Sequence, residues 1–261
     1  MLPGLLAVAL LLPAPAAGQE RRPIAVSFLS PEGLRIAADY LRPRGGKPVL
    51  VMLHGVGAGR REWDPLVFEA ARLGFGTLQF DARGHGESGG PPYTTFLTPE
   101  HWEALGRDIE GALSFLRGRG FPPERVGLVG ASIGANLALK VAAREPRVLF
   151  VVLLSPGMSY HGVRLKPDLL HFDRPVLMAA APDDAYSMRT CRELAPALKR
   201  PGGRFLQAAA GHGAQMLSGE VNRPFLKELL RWLSDRAASS RGKPPASPAA
   251  PSRPGPTSTS P

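Results

Sequence analysis

Short, strongly apolar runs alternate along this chain with longer stretches in which apolar residues return every three or four positions. The first pattern suits buried strands and the second suits amphipathic helices. Residues 24–29 and 34–41 flank Ser30-Pro31-Glu32-Gly33, a turn sequence, and are expected to form an opening hairpin. Residues 48–53, 75–80, 125–129, 149–154, 175–180 and 204–208 bring the expected strands to eight. The run at 48–53 is continuous, as a parallel strand buried on both faces requires. Helical patterns lie at about 63–73, 101–117, 133–143, 187–198 and 221–233. In the second of these Leu105, Ile109, Leu113 and Leu116 share one face. The alternation predicts an α/β fold with a mostly parallel sheet flanked by helices.

Both ends depart from this pattern. In residues 1–18 an apolar run to Leu12 is followed by Pro13-Ala14-Pro15-Ala16-Ala17-Gly18. That is the form of a secretory signal peptide, although no Lys or Arg precedes the apolar run. Export to the periplasm or medium is therefore expected, with no stable membrane span after processing. Residues 237–261 consist almost wholly of Ser, Pro, Ala, Gly and Thr with Arg241, Lys243 and Arg253, and are expected to be a disordered tail. The folding body is residues 22–236, a single domain.

Hydrophobic residues make up 44% of the chain, enough for a sizeable core. The net charge of +10 invites a nucleic-acid reading, but the arginines are scattered among acids and no basic stripe carries interleaved aromatics. A solvated basic surface is expected, with no specific nucleic-acid partner. Cys191 stands alone, so no internal disulfide can form, and it reads as a buried bystander. His101, His161 and His171 lack paired ligand residues, and no HExxH or CxxC spacing occurs, so neither a metal nor another cofactor is implied.

Three motifs carry chemistry. Gly130-Ala131-Ser132-Ile133-Gly134 falls between a strand and a helix. A serine on that turn stands above the sheet edge at a helix N-terminus, and the glycines give it room. Ser132 is thus the candidate nucleophile and the Ile133 N–H a candidate oxyanion donor. Leu53-His54-Gly55-Val56-Gly57 ends another strand, and its glycines let the Val56 N–H serve as the second donor, with His54 a structural residue. Asp81-Ala82-Arg83-Gly84-His85-Gly86-Glu87-Ser88 reads as a turn that shapes the floor of the pocket.

In this order and on these strands the motifs resemble those of the α/β-hydrolase superfamily, over about residues 24–236. The resemblance implies the order serine, acid, histidine. The acid then falls in Ala181-Pro182-Asp183-Asp184, where the family spacing points to Asp184 over its neighbour Asp183. The base falls at His212, between Gly211 and Gly213. Only about twenty residues, 155–174, separate the sixth strand from Pro175, which leaves no room for a large cap domain. Met158, Tyr160 and Tyr186 are candidate wall residues. The resemblance is to compact serine esterases and dienelactone-hydrolase-like enzymes, and implies a small-molecule ester substrate. A peptidase or amidase, or a non-catalytic binding protein on this fold, are the alternatives.

Overall fold

The computed structural model describes residues 21–198 and 201–239, so the expected signal peptide and the tail from residue 240 lie outside it. Strands β1 (Ile24–Leu29), β2 (Arg35–Leu41) and β3 (Val49–Leu53) are followed by helix α1 (Asp64–Arg72) and β4 (Gly76–Phe80). Then come α2 (Pro99–Glu103), α3 (Leu105–Arg117), β5 (Val126–Ala131), α4 (Ile133–Arg144) and β6 (Phe150–Leu154). The chain closes with α5 (Lys166–His171), β7 (Val176–Ala180), α6 (Ala185–Leu194), β8 (Arg204–Gln207) and α7 (Arg223–Ser239). The eight strands form one sheet in the order β1-β2-β4-β3-β5-β6-β7-β8, antiparallel from β1 to β4 and parallel beyond.

Both faces of the sheet are buried. On β3, Val49, Val51 and Leu53 belong to one apolar layer, while Leu50 and Met52 belong to the other. That two-residue alternation explains why the sequence reads as an unbroken apolar run. In this parallel arrangement the carboxyl ends of β3, β5, β6 and β7 lie along one edge, where their outgoing loops meet.

Two expectations are corrected. The helical pattern at 101–117 is divided at Ala104: Trp102 of α2 stacks on His161, with ring centres 4.0 Å apart, while α3 packs Leu105, Ile109 and Leu113 into the core. The last helix does not give way to the tail at 237 but continues through Ser239, because Ala237 completes its buried stripe. Between β6 and β7 there is only a two-residue hairpin, Ser159–Tyr160 against Val163–Arg164, and the short α5, so no large cap is present. Among the described residues no helix is long and apolar enough to cross a membrane.

Candidate active site

Ser132 occupies the turn from β5 into α4 with φ 55° and ψ −125°, a conformation that costs a non-glycine residue about 1–3 kcal/mol. The surroundings enforce it. The Ser132 N–H donates to Leu154 O at 2.9 Å, and the turn closes so tightly that a Cβ on Gly130 would collide with Gly134. A Cβ on Gly134 would in turn strike the carbonyls of Leu53 and His54 at the end of β3. The two glycines of the motif therefore let the first turn of α4 rest against the neighbouring strand, with Ser132 at its N-terminus.

The loop after β3 lies directly beside this serine, since a Cβ on Gly55 would stand 3.3 Å from Ser132 Cβ. The Val56 and Ile133 N–H groups donate to no partner among the described residues. His54 is buried: its Nδ1 donates to Gly55 O at 2.7 Å and its Nε2 accepts from Ala82 N at 3.0 Å. Burial pushes its pKa down to about 4, so it stays neutral and holds the loop. The loop is also anchored by Arg60, whose guanidinium pairs with Asp39 at 3.2 Å, with Glu87 at 2.7 Å, and with Asp81. Asp81 of the third motif thus braces the loop from below, and His85 contributes by accepting from Gly57 N at 3.3 Å.

Beneath the same loop, Glu62 Oε1 accepts the Gly55 N–H at 3.3 Å. Burial raises this carboxyl to about 7 against an ordinary value of 4.5. The folded protein therefore holds a proton that the unfolded chain releases. The stability this contributes is complete below pH 4.5 and lost as pH rises through about 7. Glu62→Gln keeps the acceptor and removes the titration. The variant should lose less thermal stability than the parent between about pH 5 and pH 8; an unchanged difference in melting temperature would contradict the assignment.

On the opposite side His212 Nδ1 meets Asp184 Oδ2 at 2.7 Å. Burial pushes the Asp184 carboxyl up, but hydrogen bonds from Ser187, Ser155 and His212 outweigh it and hold the group below its ordinary value. An ionised carboxylate only accepts, so Nδ1 carries the hydrogen and Nε2 is left as the basic nitrogen. Asp183 points elsewhere: both its oxygens accept the Gly211 N–H, at 3.0 and 2.9 Å. The adjacent acids thus hold adjacent parts of one loop, Asp184 the imidazole and Asp183 the backbone. Asp184 also caps α6 by accepting the Ser187 N–H at 3.2 Å.

Two residues of this site carry no sequence signal. Asn222 accepts from Ala209 N and Ala210 N and donates to Ala210 O and Ser218 O, closing the histidine loop. Ser155, fully buried with φ 50°, takes the Gly213 N–H on its Oγ at 2.8 Å. Gly213 itself packs on the end of β5, where a Cβ would lie 3.1 Å from Ala131 Cβ and 3.9 Å from Ser132 N. The residue after His212 therefore sits against the turn that bears Ser132. Ser155→Ala should strand the buried Gly213 N–H and lower stability by about 1–3 kcal/mol in chemical denaturation. Denaturation midpoints unchanged in that variant would refute the contact.

The model of the Alpha/beta hydrolase family matches residues 50–259. The chain belongs to this family. Hydrolases of related fold cover most of it: an esterase of Pyrococcus furiosus superposes with a TM-score of 0.68 over 84% of this chain and 91% of its own, at 16% identity. A thiohydrolase of Aspergillus aculeatus is 32% identical over 135 residues, covering 50% of this chain and 41% of the relative. A proline iminopeptidase of Pestalotiopsis fici is 30% identical over 139 residues, covering 52% and 46%. This hydrolase chain thus spans less than half the length of these two curated relatives.

Within the α/β-hydrolase frame, the hairpin between β6 and β7 supplies one wall of the site. Asn136 of α4 pins it by donating to Gly157 O and Val163 O, each at 2.8 Å. Tyr186 exchanges hydrogen bonds with the backbone of Ser159, both at 3.0 Å. Tyr160 turns inward, its hydroxyl 3.0 Å from Ser187 Oγ and donating to Ser155 O at 3.2 Å. Burial raises its pKa, so the phenol remains neutral. Cys191 is buried and its thiol is pushed up to about 12, which leaves it inert.

Proposed function

We propose that this hydrolase cleaves a carboxylic ester of a small or solvent-exposed substrate through an acyl-enzyme, with Ser132 as nucleophile, His212 as base and Asp184 as orienting acid. The observation that carries this reading is the 2.7 Å bond between His212 and Asp184, in a loop whose next residue packs on the serine turn. Ser132 Oγ attacks the carbonyl carbon while its proton passes to His212 Nε2. The oxygen that gains charge is held by the Val56 and Ile133 N–H groups. The imidazolium then protonates the departing alcohol. Water adds to the acyl-enzyme, giving its proton to His212, and the acid is released as Ser132 regains a proton. The absence of a large cap favours compact or exposed acyl groups. The apolar leader supports an exported enzyme.

The relative named a proline iminopeptidase supports a second reading, amide or peptide cleavage by the same three residues. A panel of p-nitrophenyl esters of increasing acyl length, matched p-nitroanilides and prolyl p-nitroanilide separates the two. Ester turnover should exceed anilide turnover by orders of magnitude and favour short chains. Preferential cleavage of the prolyl anilide would replace the esterase reading.

A further inference from the structure

One cavity among the described residues lies away from the Ser132 turn. It is a groove of about 660 Å³ alongside α1, lined by five arginines and a single carboxylate, Asp64. Its position follows from strand directions. Arg44 precedes β3, Arg72 ends α1 just before β4, and Arg21 leads into β1, whose Ile24 pairs with Tyr40 near the end of β2. All three sit where the parallel strands begin, the edge of the sheet opposite the Ser132 turn.

The groove carries an excess of positive charge, although Arg61 also pairs with Asp39 at 3.6 Å. Asp64 already receives Gln79 and lies 4.0 Å from Arg61. Arg44 and Arg72 have no carboxylate partner among the described residues, and Arg21 donates one guanidinium nitrogen to Arg42 O while another is buried with no acceptor there. Burial and the nearby Arg44 charge both push the Arg21 guanidinium below its ordinary value. The floor is apolar: Phe68 is 48% exposed, beside Val67 and Ala71, and the Arg72 guanidinium lies 5.7 Å from its ring centre. Guanidinium forks match phosphate oxygens in pairs, and an exposed aromatic ring accepts a hydrocarbon portion.

We propose that this groove is a binding site for an amphipathic phosphate ester, its phosphate held by Arg21, Arg44 and Arg72 and its apolar part laid over Phe68. The inference is independent of the chemistry at Ser132. A free organic phosphate and a phospholipid headgroup share this chemistry, and the test separates them.

Calorimetry on the full chain would use dodecyl phosphate below its aggregation concentration and inorganic phosphate. Sedimentation would use phosphatidylcholine vesicles with and without phosphatidic acid. Dodecyl phosphate should bind saturably at one site, more tightly than inorganic phosphate. Arg44→Ala with Arg72→Ala should weaken it about tenfold or more, and Phe68→Ala by a smaller factor. Arg189→Ala with Arg192→Ala, which removes the same charge from the exposed face of α6, should leave it unchanged. Additional, phosphatidic-acid-dependent vesicle binding lost in the groove variant identifies the headgroup as the source; soluble binding alone identifies the free ester. Melting temperatures matching the parent establish that each variant is folded. No saturable binding of either phosphate, or equal weakening by both double variants, would overturn the proposal.

Discussion

Ser132→Ala should lower kcat/KM on a short-chain p-nitrophenyl ester by about 10⁴-fold or more, some 5 kcal/mol of transition-state stabilisation. The substitution removes only the hydroxyl. Alanine retains the Cβ that contacts the Gly55 loop, and the turn is held by Gly130, Gly134 and the Ser132 N–H bond to Leu154, none of which the change touches. The melting temperature should therefore stay near the parent's while activity collapses. Residual turnover is expected from the Val56 and Ile133 amides, which can still stabilise charge on a carbonyl attacked by water. A variant retaining a tenth of parental turnover would assign the chemistry to another nucleophile.

The second large effect separates two neighbouring carboxylates. Asp184→Asn should reduce kcat by about 10³–10⁴-fold, because a neutral amide can present its NH₂ to Nδ1 and favour the tautomer with its hydrogen on Nε2. In that state the imidazole has no basic nitrogen toward Ser132. Asparagine keeps an oxygen for the Ser187 N–H, so the α6 cap is retained and the loss should appear in kcat with little change in denaturation. Asp183→Asn retains an oxygen for the Gly211 N–H and should change kcat by less than about tenfold. Steady-state kinetics on both variants decides the matter. Equal losses, or a larger loss at Asp183, would reverse the roles given to the pair.

Much of this architecture is legible in the amino-acid sequence, for a physical reason. The positions of the strands along the chain rest on apolar runs and the turns between them, and these are local properties. The surroundings of Ser132 and His212 are also local, because a strained turn or a tight loop needs glycine within two residues. The distinction between Asp183 and Asp184 is weaker in sequence, since adjacent carboxylates differ only in direction, and direction is set by Gly211 and His212 across the site. Ser155 and Asn222 were invisible because nothing near them in the chain marks them: Ser155 meets Gly213 fifty-eight residues on. The Arg60 cluster is hidden in the same way, drawing Asp39 from β2 and Asp81 from the loop after β4 to one guanidinium. The division at Ala104 is not visible in the periodicity because the apolar spacing runs on through it and Ala104 itself keeps helical backbone angles.

The most direct measurement is intact and peptide mass spectrometry after treatment with a fluorophosphonate, which phosphonylates a serine only where a base removes its proton. The account predicts one adduct per chain, mapped to Ser132, absent in Ser132→Ala and formed far more slowly in His212→Ala. Sustained ester turnover by a chain that takes no label at Ser132 would contradict it.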